Sequence, residues 1–125
     1  MKRIMLIVAL VAFYIASYGQ VKYTIVKVAY TTVNPQGVAN AHTYSAVSKR
    51  FDAYLYNNAL VFDDSGNTNY MFARKIGMPQ QNIQRWNATD RAGGACEITV
   101  EDRNTYTLIG IRYLDSNKIM IYQTL

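Results

Sequence analysis

A chain of 125 residues, half of them hydrophobic and with one cysteine, has room for one modest core and no intramolecular disulfide to brace it. Its formal charge of +5 is dispersed as single cations and short pairs, such as Lys49 with Arg50 and Arg74 with Lys75. A nucleic-acid face needs clustered Lys and Arg, so no nucleic-acid partner is expected, and no residue pattern calls for a cofactor.

Residues 1–19 read as a secretory leader: Lys2 and Arg3, an apolar run from Ile4 through Ile15, then small and weakly polar residues ending in Ser17, Tyr18 and Gly19. The run is shorter than the roughly 20 residues a membrane-spanning helix needs, and no basic stop follows it. Ser17 and Gly19 supply the small side chains that signal peptidase requires, giving a mature chain that starts at Gln20. No cysteine follows the apolar run, so no lipid anchor is expected. The reading is a chain exported to the periplasm or the outside, not membrane-spanning after cleavage, with residues 20–125 as one β-rich domain.

Within that domain the first strand covers residues 21–33. Val21, Tyr23 and Ile25 share one phase while Val26, Val28 and Tyr30 share the other, so a bulge is expected near Val26 and Lys27, or burial on both faces. Residues 34–46 carry little periodicity and form the longest connection, where a partner contact would concentrate. Phe51, Ala53 and Leu55 then alternate with Asp52, Tyr54 and Tyr56, the period of a half-buried strand. Val47, Phe51, Tyr54 and Leu55 also fit a helix spacing, and strand is preferred there.

Asn57 and Asn58 suit a tight hairpin in left-handed conformations, after which Leu60 and Phe62 begin the return strand. Residues 63–69 form a second turn, and Tyr70, Phe72 and Ile76 mark one face of the next strand. From Ile83 onward the pattern is clearest. Trp86 and Ala88 meet Cys96 across a hairpin at Gly93 and Gly94, Cys96, Ile98 and Val100 share a core face, and Ile109, Ile111 and Tyr113 share the next. Ile119 and Ile121 are assigned to the core face of the last strand. The expected fold is all-β, about eight antiparallel strands in meander order, forming a small barrel or a strongly bent sheet.

Few residues offer chemistry. His42 is the only histidine, and one His with one inward-facing Cys is too few soft ligands for zinc. Asp63, Asp64 and Asn67 supply oxygen for a calcium ion, but the stretch lacks the alternating ligands and terminal Glu of an EF-hand, and an ordinary turn has the same composition. Asn87, Ala88 and Thr89 match a glycosylation sequon at the end of a strand.

Trp86 is the most distinctive residue, either the largest plug in a small core or an anchor for a sugar or protein surface. Tyr54, Tyr56, Tyr106 and Tyr122 fall opposite the assigned core phases and imply a partly exposed aromatic surface. Trp86 with Tyr54, Tyr56 and Tyr106 is the candidate ligand or partner surface.

The functional expectation is therefore a small exported module without catalytic groups, binding a protein or glycan. Two alternatives are a small hydrolase or lipid-carrying barrel, built around His42 or an apolar cavity, and a structural subunit of a secreted assembly.

Overall fold

The computed structural model describes residues 20–64, 66, 68–77 and 82–125. The leader at 1–19, Asn67 of the calcium candidate and Pro79 lie outside the described residues. Eight strands follow in order: β1 (Val21–Thr32), β2 (Ser45–Leu55), β3 (Ala59–Asp63), β4 (Asn69–Lys75), β5 (Ile83–Asp90), β6 (Ala95–Asp102), β7 (Thr107–Tyr113) and β8 (Lys118–Thr124). Each pairs antiparallel with its chain neighbours, and β8 returns to β1, so the meander closes into a barrel. Closure removes the unpaired edges that an open sheet of this length would present. Residues 45–55 are strand, not helix.

β1 makes the closure. It pairs with β2 from Val21 opposite Leu55 to Ile25 opposite Phe51 and again at Lys27 and Val28, opposite Ala46 and Ser45, and with β8 from Ile25 opposite Thr124 to Thr32 opposite Lys118. The register breaks between Ile25 and Lys27, where the sequence placed a bulge. The extra residue, Val26, lets Ile25 and Val28 both face inward and keeps Lys27 outside. Without it the alternation would carry a lysine into the core.

The interior is filled by side chains. Ile25, Ala53, Leu60, Phe62, Tyr70, Ala88, Cys96, Ile98, Ile109 and Ile111 are all buried. Phe62 sits at the centre of an edge-to-face aromatic cluster with Phe51, Tyr70 and Tyr122, its centroid 4.7 Å from that of Tyr122. The Tyr70 and Tyr113 hydroxyls satisfy each other at 2.7 Å, which lets two polar tips share an apolar interior. The outer wall carries Lys22, Asp52, Arg85, Glu97 and Arg112, whose cross-strand partners lie on the same face. Apolar inside and polar outside is the reverse of a lipid-facing barrel. No helix among the described residues is long and apolar enough to cross a membrane.

Three sequence expectations are corrected. In β8 the inward phase is Met120, Tyr122 and Thr124, with Tyr122 8% exposed, while Ile119 and Ile121 face outward. Both phases of that strand are apolar, so alternation alone does not choose. The β1 register decides, placing Tyr122 opposite inward Val28. In β4 a bulge between Phe72 and Arg74 breaks the phase, so Ile76 does not continue the face of Tyr70 and Phe72. Asn57 and Asn58 are not left-handed: among the described non-glycine residues, only Asn104 and Asn117 have positive φ.

Four other turns share an Asx device, in which a side-chain oxygen accepts a backbone N–H two residues on. Asn34, Asp64, Asp90 and Asp102 each do so, to Gln36, Gly66, Ala92 and Asn104. In the Asp90 turn, Gly93 takes φ 86°, and Gly94 is needed for closeness, because a Cβ there would lie 2.9 Å from an Asp90 carboxylate oxygen.

Burial shifts titrations upward. It raises the Cys96 thiol from its ordinary 9.0 to about 11, aided by the Asp90 carboxylate, and raises the Tyr23, Tyr70 and Tyr122 hydroxyls. The fold therefore favours the neutral forms, and the stability they contribute is present below pH 9 and lost as pH rises through the folded-state values. Urea midpoints should fall steadily from pH 9 to pH 11. A Cys96→Ala variant should show a shallower fall, and parallel slopes would refute the thiol's share.

Candidate functional site

One end of the barrel gathers the start of β1, the β2–β3 turn, the end of β4, the start of β5 and the end of β6. These elements surround an open concavity of about 680 Å³. Its floor is Trp86, 7% exposed. Phe72 stacks on Trp86 with centroids 4.6 Å apart and planes 7° from parallel. The Lys75 ammonium stands 5.7 Å from the ring centroid, a cation–π distance.

The β4 bulge selects this lysine. Phe72 lies opposite inward Ala88, but after the bulge Arg74 lies opposite Asn87 and Lys75 opposite Trp86. Regular alternation would have placed Arg74 over the indole and turned Lys75 away. One inserted residue thus re-aims a cation into the mouth.

The rim is set by the same corner of the sheet. The Phe72 N–H donates to Asn58 O at 2.9 Å, and the Tyr56 N–H donates to Ala59 O at 2.8 Å, so the β2–β3 turn is tied down beside the bulge. That places Tyr56, Asn57 and Asn58 on one side of the mouth, with Gln84 and Tyr23 among its other lining residues. Among the described lining residues there are two cations, Arg74 and Lys75, and no carboxylate. Asp102 lies outside that lining, in an adjoining recess with Tyr23 and Gln84.

Of the residues singled out from sequence, Trp86 and Tyr56 meet at this mouth. Tyr54 is on the outer face of β2, opposite Lys22 and Val61. Tyr106 is in the β6–β7 turn, where its carbonyl accepts the Arg103 N–H. Tyr122 belongs to the core.

His42 lies in the β1–β2 loop, with Nδ1 2.9 Å from Asn40 O and its ring edge-to-face with Tyr44. Asp64 spends its carboxylate on its own turn, accepting from the Gly66 and Thr68 N–H groups and from the Thr68 hydroxyl. Asn87 of the sequon is mid-ladder in β5, opposite Glu97.

Phe72, Lys75 and Gln84 were missed as site residues. Phe72 read as an ordinary strand face and Lys75 as part of a solvated charge pair, and only the bulge brings Lys75 to Trp86. No protein-family model, curated protein or solved structure matches the chain.

Trp86 is the chain's only tryptophan, so its emission reports on this floor alone. Its fluorescence should be shielded from iodide and acrylamide relative to N-acetyltryptophanamide. Trp86→Ala should cost about 3–5 kcal/mol in urea unfolding, the range for deleting a buried large aromatic. Free quencher access with a loss under about 1 kcal/mol would show that the indole is a surface group.

Proposed function

We propose that this chain is an exported, non-catalytic binding module that receives an acidic glycan at the open end of its barrel. The observation that carries the reading is the mouth itself, where Lys75 and Arg74 stand without a lining carboxylate around an aromatic floor and an amide-bearing rim. A carboxylated sugar presents what such a surface lacks. Its anion complements the cations, and its hydroxyls can pair with side-chain amides, which both donate and accept. Trp86 is too enclosed to be a stacking platform, so it serves as the rigid base that holds Phe72 and Lys75 in place. The outward-exposed groups do the contacting.

The packed interior also favours this reading over a lipid carrier, because the space a lipid tail would need is taken by Phe51, Phe62, Tyr70 and Tyr122. Export rests on residues 1–19, whose order of charge, apolar run and small residues is that of a cleaved leader.

Titration with a trigalacturonic acid probe should change Trp86 emission saturably at low salt, and the affinity should fall as ionic strength rises. Maltotriose, a neutral trisaccharide, should bind about tenfold more weakly, as should the Lys75→Gln variant toward the acidic probe. Equal binding of acidic and neutral sugars, or an unaltered affinity in Lys75→Gln, would refute the proposal.

A further inference from the structure

We propose that a second site, a groove on the outer face of β6, β7 and β8, binds a small carboxylic acid with a short aliphatic chain. The inference is independent of the mouth and rests on two residues of β7.

The first is Gly110. It interrupts β7 between Ile109 and Ile111 and lies opposite outward Thr99 and Ile121. Its backbone is not among those with positive φ, and a Cβ placed on it would touch only the Thr99 Cβ, at an ordinary 3.9 Å. Neither conformation nor crowding from the loop above therefore requires glycine here. A glycine inside a strand weakens it and marks a bulge, a tight bend or the close approach of a ligand or another backbone, and the β6 and β8 registers run unbroken past Gly110, so it marks no bulge. What this one accomplishes is to leave a hollow in the groove floor, walled by Leu108, Ile119 and Ile121.

The second is Arg112, two residues on and pointing the same way. The other charges of the groove are matched: Arg85 pairs with Glu97, and Arg103 with Glu101 at 3.1 Å. Among the described residues Arg112 forms no ion pair: its cross-strand neighbour Glu97 is engaged by Arg85. The Arg112 Nη2 donates to Asn117 Oδ1 at 3.4 Å, a long bond to a neutral amide, and its Nε is buried with no acceptor. A guanidinium left in this state next to apolar surface is undercompensated.

A small aliphatic acid answers both features at once. Its carboxylate accepts from the Arg112 guanidinium while its chain fills the hollow over Gly110. The groove encloses about 310 Å³, with His42 and Tyr44 of the β1–β2 loop along one side, a size for a short chain and not for a long-tailed lipid. The outward turn of Ile119 and Ile121 acquires a purpose, since they form the apolar wall.

The test uses ¹⁵N-labelled protein produced from the full chain and sodium octanoate as probe. Octanoate should shift the Gly110 amide and Arg112 Nε–H signals saturably. Octanamide, of the same length without the charge, should bind about tenfold more weakly, and Arg112→Gln should lose a similar factor toward octanoate. Gly110→Val should abolish the saturable shifts while keeping the circular dichroism spectrum and a thermal midpoint at least as high, because a β-branched residue suits the strand and only fills the hollow. If Gly110→Val unfolds, the octanamide and Arg112→Gln comparisons stand without it. Absence of saturable shifts, equal binding of octanamide, or undiminished binding by a folded Gly110→Val would overturn the proposal. So would tighter saturation of the same signals by an acetylated tetrapeptide ending in leucine.

Discussion

Closing a short meander into a barrel obliges its first strand to serve two partners, and that constraint organises the molecule. From Ile25 to Val28 β1 pairs with both β2 and β8, and there Val26 is the extra residue against β8 while β2 carries four residues, 47–50, between its two paired runs. Because side chains alternate with period two, the bulge decides which residues of both neighbours face inward. Tyr122 enters the core and completes the aromatic cluster around Phe62, while Ile119 and Ile121 are turned out onto the wall. One backbone irregularity thereby sets the filling of the interior and also the apolar lining of the outer groove.

The filled interior has its own consequence. Eight strands enclose a space that side chains can just occupy, and here aromatic rings do so. Ligand recognition is displaced to surfaces where strand ends and loops leave concavities. At the mouth, the second bulge repeats the device of the first with the opposite result. In β1 the inserted residue keeps Lys27 out of the core, and in β4 it turns Lys75 toward Trp86. Bulges next to recognition surfaces commonly act this way, by re-aiming a side chain while leaving the sheet intact.

Much of the barrel was legible because most strands have one apolar and one polar phase. Cys96, Ile98 and Val100 against Glu97, Thr99 and Glu101 admit a single burial solution, and the β5–β8 hairpins follow from it. β8 was misread because Ile119, Met120, Ile121 and Tyr122 are apolar in succession, so the choice belongs to a strand almost a hundred residues away. The site was legible only in part. Trp86 and Tyr56 carried a composition signal, but Lys75 joins them through a bulge that no local pattern announces. Gly110 did carry a readable signal, an isolated glycine inside a β-branched run, and its meaning emerged only once the face it lay on was known.

Gly110 and Arg112 also run against the economy of a chain this small. A glycine within a strand forfeits roughly 0.5–1 kcal/mol relative to alanine, and an unsatisfied buried donor costs about 1–3 kcal/mol. Against a typical total stability of roughly 5–15 kcal/mol, with no intramolecular disulfide to offset them, two such losses on one face are substantial. They are also neighbours on one face of the same strand, one removing bulk and the other leaving a guanidinium that shares its cross-strand carboxylate, Glu97, with Arg85. Packing alone favours filling the first position and pairing the second. A ligand that supplies both the missing volume and a carboxylate for the guanidinium relieves both.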